Sequence, residues 1–299
     1  MPMIASIAGV ATNTLLNWVL IFGFLGAPAL GVRGAAIATV ISRCVELSVL
    51  VIYAHSKTER FPYLVGAFRA FASPWGLFFK IFKKALPIMA NEFFWSLSVT
   101  MRNQCYSVRG LDAVAAQNIS STLVNLTSVV YMAIGSAIAI VVGKMLGAGE
   151  IDRAKDTAKK MIFFSMVSAA VMGVVLSGVA FVFPLIYNTT AGVRSLATYM
   201  MIIAAVAMPF SAFAFSTYFT LRSGGRVMVT IIFDSVFMWG IVIPLSASLA
   251  YLTAMPIHLL YAVCQLVEVT KLGIGLVLMK KVNWARQLDV ISDSGKAGA

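Results

Sequence analysis

Charge is scarce in this sequence. Only 11% of its 299 residues are Asp, Glu, Lys or Arg, where a soluble globular chain carries about 25%. That excludes an ordinary water-soluble domain. Cysteine is scarcer still. Cys44, Cys105 and Cys264 lie inside apolar runs, with no C-x-x-C and no pairing pattern, so they read as packing residues. The two histidines, His55 and His258, show no metal-ligand spacing. There is no phosphate-binding glycine loop, no nucleophile motif and no nucleotide site. An enzyme is therefore disfavoured, no cofactor or metal is expected, and any work must draw on an ion gradient. A membrane potential supplies about 2.3 kcal/mol per charge per 100 mV.

What is present is apolar length. Hydrophobic residues make up 60% of the chain. They fall in runs of about 20 residues, the length of a membrane-spanning helix, separated by charged or Gly/Pro-rich breaks. The sequence predicts an all-α polytopic membrane protein with eight transmembrane helices, near 3–23, 35–54, 85–107, 113–142, 161–187, 195–221, 227–250 and 256–279. Residues 57–84 form a basic connection whose second half, Pro74 to Lys84, suits a helix lying in the membrane interface. Residues 281–299 are polar and read as a disordered tail.

The net charge of +12 suggests nucleic acid until the cations are placed. Of 23 Lys and Arg, 17 fall in the 55–84, 144–160 and 222–226 loops and the tail, all on one side of the helix count. Arg33, Arg109 and Arg194 fall on the other, and Arg43, Arg102 and Lys271 lie within helices. Cytoplasmic loops hold the excess of Lys and Arg. Both termini are therefore expected in the cytoplasm of a cell membrane, with lipid and not nucleic acid as surroundings.

Intramembrane acids are costly, about 2.5–3.5 kcal/mol each on insertion scales, so they lead the search for function. Glu92, one turn beyond Pro87, shares a helical face with Ser96, Val99 and Asn103. Such a face suits a cavity wall for amphipathic cations. A proton, a sodium ion or an organic cation could neutralise the carboxylate, but not two at once, and that competition is the simplest antiport mechanism. Asp234 is either a second such site or a partner of Arg222 or Arg226. Arg43 with Glu46, and Glu268 with Lys271, each sit three residues apart and read as structural pairs. Arg102 is expected to snorkel outward beside Arg109. The fourth helix carries Gln117 and Asn125, and the sixth Ser211, Phe215 and Tyr218, as polar or aromatic faces that either line a cavity or bond neighbouring helices. Sixteen Met and twenty Phe suit promiscuous organic cations.

Several stretches resemble the multidrug and toxic compound extrusion (MATE) transporters. Asn17-Trp18-Val19-Leu20-Ile21-Phe22-Gly23 with Gly26 to Thr39 is similar to their fifth-to-sixth helix region. Ala85-Leu86-Pro87 with Asn91, Glu92 and Trp95 is similar to the start of the seventh. Val142 to Gly149 is similar to the end of the eighth, and Leu221-Arg222-Ser223-Gly224-Gly225 to the turn after the tenth. The resemblance implies residues 1–56 as the last two helices of an N-terminal lobe, 57–84 as the interlobe linker and 85–280 as a six-helix C-terminal lobe. It implies that four preceding helices, needed for a complete transporter, are missing. The expected function is secondary active efflux of cationic or amphipathic drugs in exchange for H+ or Na+, with Glu92 as the ion or cation site. An acid found in the tenth helix of some members is replaced by Ser211. The alternatives are a lipid-linked oligosaccharide flippase of the same superfamily and a membrane fragment that transports nothing.

Overall fold

The computed structural model describes residues 2–26, 28–59, 75–225, 227–282 and 284–285, without the side chains of residues 77, 80 and 84. Most of the basic connection (60–74), Arg226 and the end of the tail (286–299) lie outside the described residues. Among them are eight helices, and no strand occurs. The helices are α1 (Pro2–Phe22), α2 (Val32–Ser56), α3 (Trp75–Ser107), α4 (Leu111–Gly147), α5 (Ile151–Val179), α6 (Ala191–Ser223), α7 (Val227–Leu252) and α8 (Ile257–Lys281).

Among the described residues, seven of these are long and apolar enough to cross a membrane. The exception is α3, which Asn91, Glu92, Arg102, Asn103 and Gln104 make polar. The expected interfacial helix is not a separate element. It runs without a break into the third span, with Pro87 inside the continuous helix. Trp284 and Ala285, expected in the tail, are buried.

The chain divides into two compact units, 1–80 and 81–299. In the first, α1 and α2 pack closely. A Cβ on Gly34 would sit 2.5 Å from the Leu20 carbonyl oxygen. Polar groups bridge the pair. Asn13 donates to Ser42 (3.4 Å), and Ser6 donates to Glu46 (2.7 Å). Arg43 donates to Glu46 at 2.6 Å, so this i, i+3 pair forms as the spacing predicts.

The second unit is organised around α6, which packs on α4, α5, α7 and α8. Thr190 caps its start by accepting from the Val193 amide at 3.3 Å. Pro209 lies inside α6 and has no N–H to offer the carbonyl four residues earlier, that of Ala205. This oxygen faces α5 at Gly173, where a Cβ would come within 2.6 Å of it. Ser216 on α6 and Ser165 on α5 close the same interface with a buried 3.0 Å hydrogen bond. Gly135 on α4 takes the ring of Phe215, and Gly275 on α8 takes that of Phe213. Small residues thus let backbones approach where packing rather than water exclusion must hold helices together.

Cys105 and Cys264 are buried in this core, while Cys44 is exposed; all three are free thiols. Two arginines serve as caps. Arg109 donates to the Leu249 and Thr253 carbonyls (2.9 and 2.6 Å) at the end of α7, and Arg194 to the Tyr187 carbonyl.

Two helices are irregular. α7 is π-helical over Ile232–Val236 and Met238–Val242. α8 is interrupted at Thr270, between the segments Ile257–Val269 and Lys271–Lys281.

Candidate functional site

A cavity of about 540 Å³ opens between α3, α4, α6, α7 and α8 of the second unit. Its wall mixes polar and charged groups with aromatic and methionine side chains, Trp95, Tyr131, Phe215, Phe219, Met208 and Met238 among them. On α6 the rings form a ladder. Phe215 meets Phe219 at 4.9 Å between centroids, Phe219 meets Tyr218 at 5.3 Å, and Tyr131 of α4 contacts Phe215 edge-on at 6.0 Å.

Into this wall are set three acid–base pairs, each joining two different helices. Glu92 of α3 accepts from Arg222 of α6 at 2.9 Å. Asp234 of α7 accepts from Lys271 of α8 at 3.0 Å. Arg102 of α3 donates to Glu268 of α8. All of these residues except Arg222 line the cavity.

The partner choice corrects three expectations. Glu268 does not pair with Lys271, although three residues separate them on one helix; each pairs with another helix. Asp234 pairs with Lys271 and not with Arg222, which is taken by Glu92; Arg226 lies outside the described residues. Arg102 does not snorkel; it is held in the bundle by Glu268. For Glu268 and Lys271 the physical reason is energetic. An i, i+3 pair on an exposed helix contributes only about 0.2–0.5 kcal/mol. Breaking a buried pair by removing one partner costs about 3–5 kcal/mol. Cross-helix neutralisation therefore outweighs same-helix convenience.

Around Glu92 the hydrogen bonds form a chain. Tyr218 donates to Glu92 Oε1 at 3.2 Å and accepts from Asn91 Nδ2 at 3.1 Å and from Arg222 at 3.3 Å. Ser235 of α7 donates to Asn91 Oδ1 at 2.6 Å. Asn91 and Ser235 are buried, and the chain ties α3, α6 and α7 to one carboxylate. Ser235 was not singled out in the sequence, and Asn91 only as part of the family resemblance. The usable signal was position: one neighbours Glu92 and the other Asp234.

Of the other expected cavity residues, Asn125, Ser211 and Tyr218 line the cavity, with Asp234, Glu268 and Lys271. Ser96, Asn103 and Gln117 do not line it. Ser96 and Asn103 are exposed. Gln117 is half-buried, with its side-chain oxygen enclosed and unpartnered. The helical wheel placed Ser96, Val99 and Asn103 on Glu92's face; of these the cavity takes Val99, together with Trp95 and Arg102. That stripe also includes Glu92 and advances by three or four residues.

The cavity can hold a bulky, partly apolar guest against aromatic and methionine surfaces, and it offers carboxylates to a cation. No group of three or more His, Cys, Asp or Glu able to hold a metal ion occurs among the described residues.

The family model described as MatE matches residues 87–248. The chain is 27% identical over 241 residues to "Probable multidrug resistance protein NorM" of Neisseria meningitidis serogroup B, covering 80% of this chain and 52% of that protein. It is 28% identical over 207 residues to "Multidrug resistance protein MdtK" of Edwardsiella ictaluri, covering 68% and 44%. The chain thus spans about half the length of the curated relatives it matches. A crystal structure of MATE in complex with MaL6 superposes with a TM-score of 0.77 at 16% identity, over 93% of this chain and 61% of that one. At that identity the likeness is one of fold.

Proposed function

Because the chain belongs to the MatE family, a family of multi-pass membrane transporters and not of enzymes, we propose that it acts in ion-coupled multidrug efflux. In this reading H+ or Na+ is exchanged for cationic or amphipathic organic molecules across the cell membrane, with both termini in the cytoplasm. Residues 1–56 and 85–280 belong to two lobes joined by the 57–84 connection.

The observation that carries the reading is Glu92, set in the wall of an aromatic cavity. Its pair with Arg222 is the most open of the three, with side chains 53% and 31% exposed. An open ion pair is held weakly, so a proton, a sodium ion or a ligand cation can compete for the carboxylate. When one of these neutralises Glu92, the hold on Arg222 and on the Tyr218 hydroxyl loosens, and with it the tie between α3 and α6. The aromatic faces attract organic cations, while methionines adapt to different shapes.

A flippase for lipid-linked oligosaccharide would need cations free to hold an anionic headgroup. Here the cavity cations Arg102 and Lys271 each face a carboxylate, which favours the efflux reading.

The test is ethidium efflux from cells that express the encoded protein. Glu92→Gln is expected to bring efflux down to the level of cells without the protein, at unchanged membrane abundance. Unchanged efflux in that variant removes Glu92 from coupling. No efflux from the wild-type protein, with insertion intact, favours the reading in which the chain transports nothing.

A further inference from the structure

The Asp234–Lys271 pair differs from the other two. Its side chains are 17% and 9% exposed, far less than those of Glu92 and Arg222. Its cation is an ammonium, whereas both other cavity pairs use guanidinium groups. An ammonium is a compact point charge; a guanidinium is a planar fork. Lys271 Nζ lies 3.0 Å from Asp234 Oδ1, 5.2 Å from the centre of the Phe237 ring and 5.9 Å from that of Phe233. A carboxylate and two aromatic faces around one position are the elements of a site for a small alkylammonium ion.

The backbone is unusual on both sides of the pair. Asp234 lies in the first π-helical stretch of α7, a departure from α-geometry that is frequent at functional sites. Lys271 is the first residue after the interruption of α8 at Thr270. A cation there meets the positive end of the helical segment, and the carboxylate three residues earlier, Glu268, is taken by Arg102. What holds it is Asp234 and the two rings. Both residues line the cavity, so the position they share is open to a guest.

We propose that Lys271 is a tethered cation. Its ammonium fills, from within the chain, a site at Asp234 that takes a small monovalent cation, and it thereby removes Asp234 from ion exchange. The cavity's exchangeable carboxylate is then Glu92, whose partner is more open. This inference deepens the efflux reading and rests on it for the meaning of exchange. The two fail separately, because the test below is scored on purified protein with no transport step.

Lys271→Ala empties the site and keeps Asp234. Thermal unfolding is followed in detergent during titration with methylammonium chloride or NaCl, with N-methylglucamine chloride holding ionic strength constant, and all proteins, the wild type included, are compared in a Glu92→Gln background so that no cation is taken up there. Methylammonium is expected to raise the midpoint of Lys271→Ala by about 5 °C at saturation. It is expected to leave the wild type, whose site is filled, unchanged. It is also expected to leave Lys271→Ala/Asp234→Asn, which has no carboxylate to occupy, unchanged.

If Lys271→Ala aggregates when purified without a small cation, the readout is recovery of a monodisperse peak on purification in methylammonium. No stabilisation and no recovery with either cation overturns the proposal. An equal response in the double variant overturns it as well.

Discussion

Tyr218 is the residue on which the Glu92 site turns. Its single hydroxyl donates to Glu92 and accepts from Asn91 and Arg222, so it is fully used in a place where water is scarce. Tyr218→Phe keeps the ring and removes the bridge. It is expected to lower stability by about 1–3 kcal/mol, because Asn91 is buried and loses its acceptor; thermal unfolding of the purified variant measures this. The sequence made Glu92 and Tyr218 visible, one as an intramembrane acid and the other as part of a polar face. It did not make Arg222 visible as the partner, since 130 residues separate it from Glu92. Spacing reports neighbours along one helix, and all three cavity pairs are between helices. The six charges were legible as a set, three acids and three bases in the helices or at their ends. Their matching was not.

At the scale of the element, apolar runs located most of the helices, because hydrocarbon thickness fixes their length, but α5 runs over Ile151–Val179 where 161–187 was expected. The runs did not reveal that the amphipathic stretch before α3 is continuous with it. Pro87 looked like a boundary but sits well inside the helix, where it removes a hydrogen bond without ending the element. Nor did composition reveal the π-helical turns of α7. The α5–α6 contact shows a rule that was only half legible. Small residues were expected at helix contacts, but the particular union of Gly173 with the Ala205 carbonyl depends on Pro209 one turn later. Gly173→Ala places a methyl 2.6 Å from that oxygen, and neither backbone can yield easily. The expected cost is about 1–3 kcal/mol, read as a lower unfolding midpoint. Gly178→Ala, on the same helix with nothing within 4 Å, is the control and is expected to leave the midpoint unchanged.

At the scale of the whole molecule, the proposed orientation rests on the distribution of Lys and Arg. The structure adds a local reason for two of the few cations on the sparse side. Arg109 and Arg194 bond main-chain carbonyls, so they are structural caps that cost the charge asymmetry little. Cysteine labelling tests the orientation in a background with Cys44, Cys105 and Cys264 replaced by Ser. Asp112→Cys is expected to react with a membrane-impermeant maleimide in intact cells. Asp156→Cys is expected to react only after permeabilisation, and the reverse pattern inverts the topology. The matching of the charges bears on this scale too. Glu92, Asp234 and Glu268 are balanced by Arg222, Lys271 and Arg102, so an unloaded cavity carries no formal charge. In the proposed exchange, membrane voltage would then act on the charge of the ion and of the guest and not on the cavity itself.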